Sequence, residues 1–345
     1  MNRFSIVLLI SLALRVTLWS DVPERTETAH KGKSAGAKPE ETWVYWMAGE
    51  SKFLKPLPVS DFLVFAAMID ADGQLRLPAV EPEKLREKIG RDIRLHLVVA
   101  APWNPPFLHL LLRRDLSLHT VLERQIGQQF AHWDGIQIDF ESMSPADHDA
   151  YLEFLRAVKG HCPPGKIFSV AVLPRWNENM LMRNGERDPF DYPAIARIAD
   201  RVMVMAYDEH PRGGPAGPVA SFDWCRNILK FAVKKIPPEK LVMGIPLYGR
   251  SWQQPIYNRA WRYREMQEFL KASKLSGKVA YDALNGACLK REERVTVTSW
   301  FETLLSVQSK LSLYRQSRLR GVAFWRLGQE PDGLWQRLRR GQSKP

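Results

Sequence analysis

Eight apolar, strand-length runs recur along this chain, separated by stretches that are mostly amphipathic and helix-length. The runs are Trp43–Met47, Phe62–Ile69, Arg94–Ala100, Gly135–Phe140, Ile167–Leu173, Arg201–Ala206, Leu241–Pro246 and Gly321–Trp325. Val, Ile and Leu follow one another in them without strict alternation, the pattern of parallel strands buried on both faces. Helical patterns between them cover Glu81–Gly90, Leu116–Phe130, Pro145–Lys159, Tyr192–Ile198, Ser221–Lys235 and Trp300–Tyr314. Repeated strand-then-helix units predict a parallel sheet with right-handed crossovers. Eight of them close into an α/β fold of the (β/α)8 TIM barrel type, for which 345 residues suffice with room for an insertion. A doubly wound open sheet is the alternative, but the first strand–turn lacks a Gly-rich phosphate loop and no P-loop motif occurs.

One connection is too long for a single crossover, the stretch from Gly249 to Arg320. It holds helix-like Tyr263–Ser273 and strand-like Lys278–Tyr281 and Arg294–Thr298. Residues 252–299 therefore read as a small α+β insertion on the catalytic face, between strands seven and eight of a barrel spanning 42–345. Ahead of the barrel, Arg3 precedes an apolar run from Phe4 to Leu14, the proportions of a secretory signal. Residues 1–20 are expected to be cleaved near Ser20 or retained as an N-terminal anchor, which makes the protein exported, periplasmic or extracellular. Retention would associate it with a membrane. Residues 21–41 are polar and rich in Lys, Glu, Gly and Pro, as in a flexible linker.

The net charge of +12 favours anionic partners. The positive residues are scattered, and no basic helix interleaved with aromatics occurs, so nucleic acid is not among the expected partners. Cys162, Cys225 and Cys288 include no C-x-x-C pair, and three cysteines cannot complete a disulfide framework. Three free, buried thiols are expected. No His/Cys cluster has ligand spacing, so neither metal nor cofactor is expected. A monomer is the expected state.

The chemistry concentrates in Asp134-Gly135-Ile136-Gln137-Ile138-Asp139-Phe140-Glu141. Alternate strand residues share a face, so one face is apolar and the other carries Gln137, Asp139 and Glu141. A solvated strand would also alternate. A barrel strand with helices outside and a site at its C-terminal end fits the same pattern. Carboxyls two residues apart lie about 6–7 Å from each other, and each disfavours ionisation of the other. A protonated acid beside a carboxylate is the usual equipment for cleaving a glycosidic bond.

This octapeptide resembles D-G-x-D-x-D-x-E, the signature of glycoside hydrolase family 18, the chitinase-type barrels. Met205-Ala206-Tyr207-Asp208 resembles the family's M-x-Y-D. Gly244-Ile245-Pro246-Leu247-Tyr248-Gly249 resembles its G-I-P-x-Y-G, and Gly321-Val322-Ala323-Phe324-Trp325 its last strand. The resemblance covers roughly Trp43 to Trp335, in the expected order. It implies a retaining glycosidase acting on a polysaccharide that contains N-acetylglucosamine, with the substrate's own acetamido oxygen as nucleophile. Glu141 would be general acid and then base, and Asp139 would orient the acetamido N–H. Tyr207 and Asp208 would hold that group, with Met205 lining the pocket, Trp325 beneath the sugar and Tyr248 at one side. Arg250 and Trp252 are further contact candidates. An amino-sugar-binding barrel without catalysis is the competing reading.

The departure is Gln137, where typical chitinases have Asp. Phe140 replaces the common Trp as well. Both features resemble the spore-germination and cell-wall branch of the family, which favours peptidoglycan over crystalline chitin. Gln137 is expected near the substrate and directly beneath Asp139. Without a carboxyl partner there, Asp139 should ionise more readily.

Overall fold

The structure, a computed structural model, describes residues 41–342 apart from 78, 184–185, 255–261, 283–285 and 291–293. The expected signal segment and almost all of the expected linker lie outside the described residues. Eight parallel strands form the barrel: β1 (Glu41–Met47), β2 (Asp61–Ile69), β3 (Arg94–Ala100), β4 (Gly135–Asp139), β5 (Ile167–Val172), β6 (Arg201–Val204), β7 (Leu241–Pro246) and β8 (Gly321–Trp325). Each pairs with its sequence neighbours, and β1 pairs with both β2 and β8, which closes the sheet. The helices are α1 (Pro82–Ile89), α2 (Pro105–Leu112), α3 (Ser117–Gln128), α4 (His148–Gly160), α5 (Tyr192–Ile198), α6 (Phe222–Lys235), α7 (Tyr263–Ala272), α8 (Leu304–Gln316) and α9 (Leu334–Gln342). No helix among the described residues is long and apolar enough to cross a membrane.

Two apolar layers explain why the strands lack alternation. Their outward residues, such as Ile136 and Ile138 of β4, pack under the helices in one large cluster. Their inward residues, including Trp43, Tyr45, Leu63, Val98, Met203 and Val242, fill the barrel itself. Such a barrel is a packed core with its site at the C-terminal end. The opposite end is closed by charge. Glu41 meets Arg201 at 2.7 Å and Arg94 at 3.1 Å, and Asp61 binds Arg94 at 2.7 Å and His96 at 2.8 Å. Gly321 is required here, because a Cβ would lie 2.4 Å from the Glu41 carbonyl oxygen.

Several boundaries differ from the sequence reading, and each has a local cause. Trp300 lies on the strand Thr296–Phe301, which pairs antiparallel with Gly249–Gln254. The helix expected from Trp300 starts only at Leu304, after Thr303 caps it by accepting from Ser306 N–H. The excursion between β7 and β8 thus begins at Gly249, immediately after the G-I-P-x-Y-G motif. Helix α2 escapes periodicity because its sequence is almost wholly apolar, while Asn104 caps it and two prolines open it. Strands β4 and β6 end at Asp139 and Val204, so Glu141 and Met205–Asp208 sit beyond the sheet at its C-terminal rim. All three cysteines are free, but only Cys225 is buried; Cys162 is half-buried and Cys288 exposed.

Candidate active site

Asp139 ends β4 and points into the barrel, with only 6% of its surface exposed. Its Oδ1 is buried without a hydrogen-bond partner among the described residues. Buried polar atoms are nearly always bonded, so an orphaned acceptor marks a place prepared for a donor. Glu141 follows two residues later, half-buried at the rim. Burial raises the Asp139 pKa well above the usual carboxylate range, and the neighbouring Glu141 raises it further. Burial also raises Glu141, with the negative charge of Asp208 adding to it. Burial thus holds Asp139 towards protonation even though no carboxyl stands at 137.

Gln137 is corrected as a substrate contact. It is fully buried, and its carbonyl accepts from the Tyr45 hydroxyl at 2.7 Å while its amide donates to Ser169 Oγ at 3.3 Å. Both ends are used by the protein, and no surface is left for a sugar. Its role is to hold Tyr45, whose ring packs edge-on to Trp325 at 5.2 Å. Gln137→Leu should leave the Tyr45 hydroxyl without its acceptor and cost about 1–3 kcal/mol of stability, measurable by denaturant unfolding. An unchanged midpoint would reject this supporting role. Asp134 belongs to the other end of β4. It accepts from Leu95 N–H at 2.8 Å and pairs with Arg86 at 2.5 Å, some 16 Å along the strand from Asp139.

The aromatic wall assembles from four strands. Tyr207 stacks with Trp325 at 6.5 Å and 22°, and meets Tyr248 edge-on at 6.4 Å. Phe65 of β2 meets Trp325 edge-on at 5.3 Å. Met205 is buried beside Tyr207 and Trp325, in the top layer of the barrel interior. Gly244 makes room for the tyrosine, since a Cβ there would approach the Tyr207 ring to 2.9 Å. Trp325 is half-buried, with its carbonyl accepting from Leu247 N–H at 2.7 Å.

Asp208 adopts a φ of 65°, a left-handed conformation that Asp tolerates better than most residues. Its Oδ1 accepts from the Tyr248 hydroxyl and from Arg250 Nη2, the latter at 2.7 Å. Arg250 also donates to the His210 carbonyl at 2.9 Å. Arg250 therefore holds the loop that carries Asp208. Trp252 is buried and donates to the Pro211 carbonyl at 3.4 Å, which makes it part of the same support and not a sugar contact.

The structure thus brings Asp139, Glu141, Met205, Tyr207, Asp208, Tyr248 and Trp325 to one end of the barrel. Sequence reasoning missed Tyr45, Phe65 and Ser169. Tyr45 was detectable in principle, because it shares strand parity with Trp43 and so faces inward. Ser169 carried no signal. No group of three or more His, Cys, Asp or Glu residues among those described could hold a metal ion.

Residues 118–330 match the family model for glycosyl hydrolases family 18. Among curated relatives, an uncharacterized glycosylase of Bacillus subtilis, YvbX, is 33% identical over 215 residues, covering 60% of this chain and 61% of its own length. The cortical fragment-lytic enzyme of Bacillus anthracis is 32% identical over 199 residues, covering 56% of this chain and 46% of its own. The chain thus spans only about half to three fifths of these relatives. Among solved structures, the Bacillus cereus spore cortex-lytic enzyme SleL aligns with a TM-score of 0.67 at 23% identity, over 88% of this chain and 74% of that one. A chitinase from Chromobacterium violaceum aligns with a TM-score of 0.67 at 22% identity, over 89% of this chain and 100% of that one. The barrel is the same in these structures, the family model spans β4 through β8 with their motifs, and the chain belongs to glycosyl hydrolase family 18.

Proposed function

We propose that this protein is a retaining glycosidase that hydrolyses β-1,4 bonds at N-acetylglucosamine residues of a cell-wall glycan, through substrate-assisted catalysis. The observation that carries the reading is the Asp139–Glu141 pair. Two carboxyls share the end of one strand, both held towards protonation, under an aromatic wall. A Glu with raised pKa is suited to be a proton donor near neutral pH. Glu141 gives its proton to the leaving glycosidic oxygen as the C1–O bond breaks. The acetamido oxygen of the same sugar closes on C1, giving a cyclic oxazolinium. Asp139 accepts the acetamido N–H on its orphaned oxygen, and its ionised form, which the developing cation favours, balances the positive charge. Glu141, now a carboxylate, takes a proton from water as that water opens the ring at C1. Two displacements at C1 retain configuration. Trp325 and Tyr207 present the apolar faces on which a sugar ring packs, and Tyr248 and Asp208 offer polar groups at its edge.

The choice of glycan rests on different support. Relatives named for lysing cortical fragments favour a wall polymer over crystalline chitin. The excess of 50 Lys and Arg over 38 Asp and Glu suits an anionic polymer. An exported protein, as the Arg3-to-Leu14 pattern suggests, would meet one.

The test is incubation with peptidoglycan and with chitooligosaccharides, identifying new reducing ends by mass spectrometry. A glycan with glucose at the reacting position should not be cut, because it lacks the nucleophile, and a thiazoline mimic of the cyclic intermediate should inhibit. Efficient cleavage of the glucose analogue would reject substrate assistance. Binding of amino sugars without any new reducing end would support the lectin-like alternative.

A further inference from the structure

Away from the barrel mouth, one surface combines an exposed indole with lysines that form no ion pair among the described residues. The chain leaving β5 runs along α6. Trp176 packs against Trp224 at 5.8 Å, and Glu178 binds Lys235 at 2.8 Å. Between this segment and the helix lies a cavity of about 200 Å³, lined by Trp176, Asn227, Lys230, Phe231 and Lys234. Asn227, Lys230 and Lys234 are spaced to share one face of α6 and span about 10 Å along it. Trp176 is 41% exposed, and both lysines are exposed.

Charge and shape together select a ligand. Neither lysine takes part in an ion pair among the described residues, whereas the acids Asp223 and Glu178 pair with Arg226 and Lys235. Like charges four residues apart on a helix repel, so Lys230 and Lys234 gain from a shared anion. An exposed tryptophan alone is ordinary. Lining a concave surface with two uncompensated ammonium groups, it complements a ligand that has an apolar face and negative charge. Trp176 follows the C-terminal end of β5, so the groove starts from the same end of the barrel as the active site.

We propose that this groove is a second binding site for a carboxylate-bearing glycan strand, gripping the polymer away from the bond being cut. The indole packs on the C–H face of a sugar, and Lys230 and Lys234 pair with carboxylates along the strand. The ligand class rests on the glycosidase reading above.

The experiment measures co-sedimentation of the full chain with purified peptidoglycan, in a Glu141→Gln background so that the polymer stays intact. Trp176→Ala should weaken retention about tenfold, the worth of a partly buried aromatic face. Lys230→Gln with Lys234→Gln should weaken it about three- to tenfold and flatten its salt dependence. Blocking the glycan carboxylates with a neutral amine should reproduce the lysine result in the parent. With Glu141 intact, the Trp176 and lysine variants should cleave a short chitooligosaccharide within about twofold of the parent, since it does not reach the groove. Matching unfolding temperatures confirm intact folds. The proposal is overturned if the parent is not retained, if Trp176→Ala is retained like the parent, or if the lysine effect persists on carboxylate-blocked glycan. New reducing ends with Trp176-independent retention sink the groove alone. Trp176-dependent retention without any cleavage sinks the glycosidase reading and leaves the groove standing.

Discussion

Glu141→Gln is expected to lower turnover by about 10²- to 10⁴-fold, the usual worth of a positioned general acid–base. The amide keeps the shape of the side chain and removes its proton. Sugar affinity should therefore change by no more than about threefold, so that kcat falls while binding holds, the signature of an interaction made only in the transition state. The parent's activity should decline on the alkaline side as Glu141 loses its proton. Burial and the charge of Asp208 move that limb above the ordinary Glu range. Steady-state kinetics across pH, with binding measured separately, decide the matter. A loss of turnover below about threefold would show that another group donates the proton.

The fold was legible because each barrel strand is buried on both faces. That burial forces long apolar runs such as Leu95–Ala100 and Leu241–Pro246, and their repetition needs no other architecture. Boundaries blurred where the chain leaves the sheet to build the site. Met205 and Ala206 look like strand residues because they are buried, yet the ladder stops at Val204. Trp300 looked helical because its strand, Thr296–Phe301, is exposed along its whole length and so shows neither a clean period of two nor one of 3.6.

The candidate carboxyl pair was legible for a different reason. Asp139 and Glu141 interrupt an apolar run, and only a function or a buried partner justifies that cost. Gln137 interrupts it too, and parity alone could not separate its role from theirs. The difference is depth. One strand residue pair, about 6–7 Å, separates the rim from a layer where every polar atom must be bonded within the protein. Tyr45 and Ser169 supply those bonds from strands far away in sequence. Arg250 was a weak candidate for a similar reason, since its partner Asp208 comes from the loop after another strand.

Asp139→Asn should combine two opposite effects. Its folded-state pKa lies above the value of about 3.9 expected for an unfolded chain. The native state therefore binds this proton more tightly than the unfolded state does. Below the unfolded pKa both states are protonated and the group costs nothing through ionisation. As pH rises from there towards the folded pKa, the unfolded state gains by ionising and native stability falls. Asn does not titrate and removes that loss. The variant should melt at least about 2 °C above the parent at pH 7, and the gain should vanish as pH falls towards 3. Activity should move the other way. Asp139 would balance the oxazolinium charge, and losing one such preorganised group costs about 10²- to 10³-fold in turnover. The stability loss in the parent would then be the counterpart of the proposed catalytic use, a carboxyl buried where folding alone would not put one. Thermal melts of both proteins between pH 3 and pH 8, beside kinetics, test the pair of effects. An unshifted melting temperature at pH 7 would mean that Asp139 is solvated well enough to ionise freely. Turnover within about threefold of the parent would remove it from the mechanism.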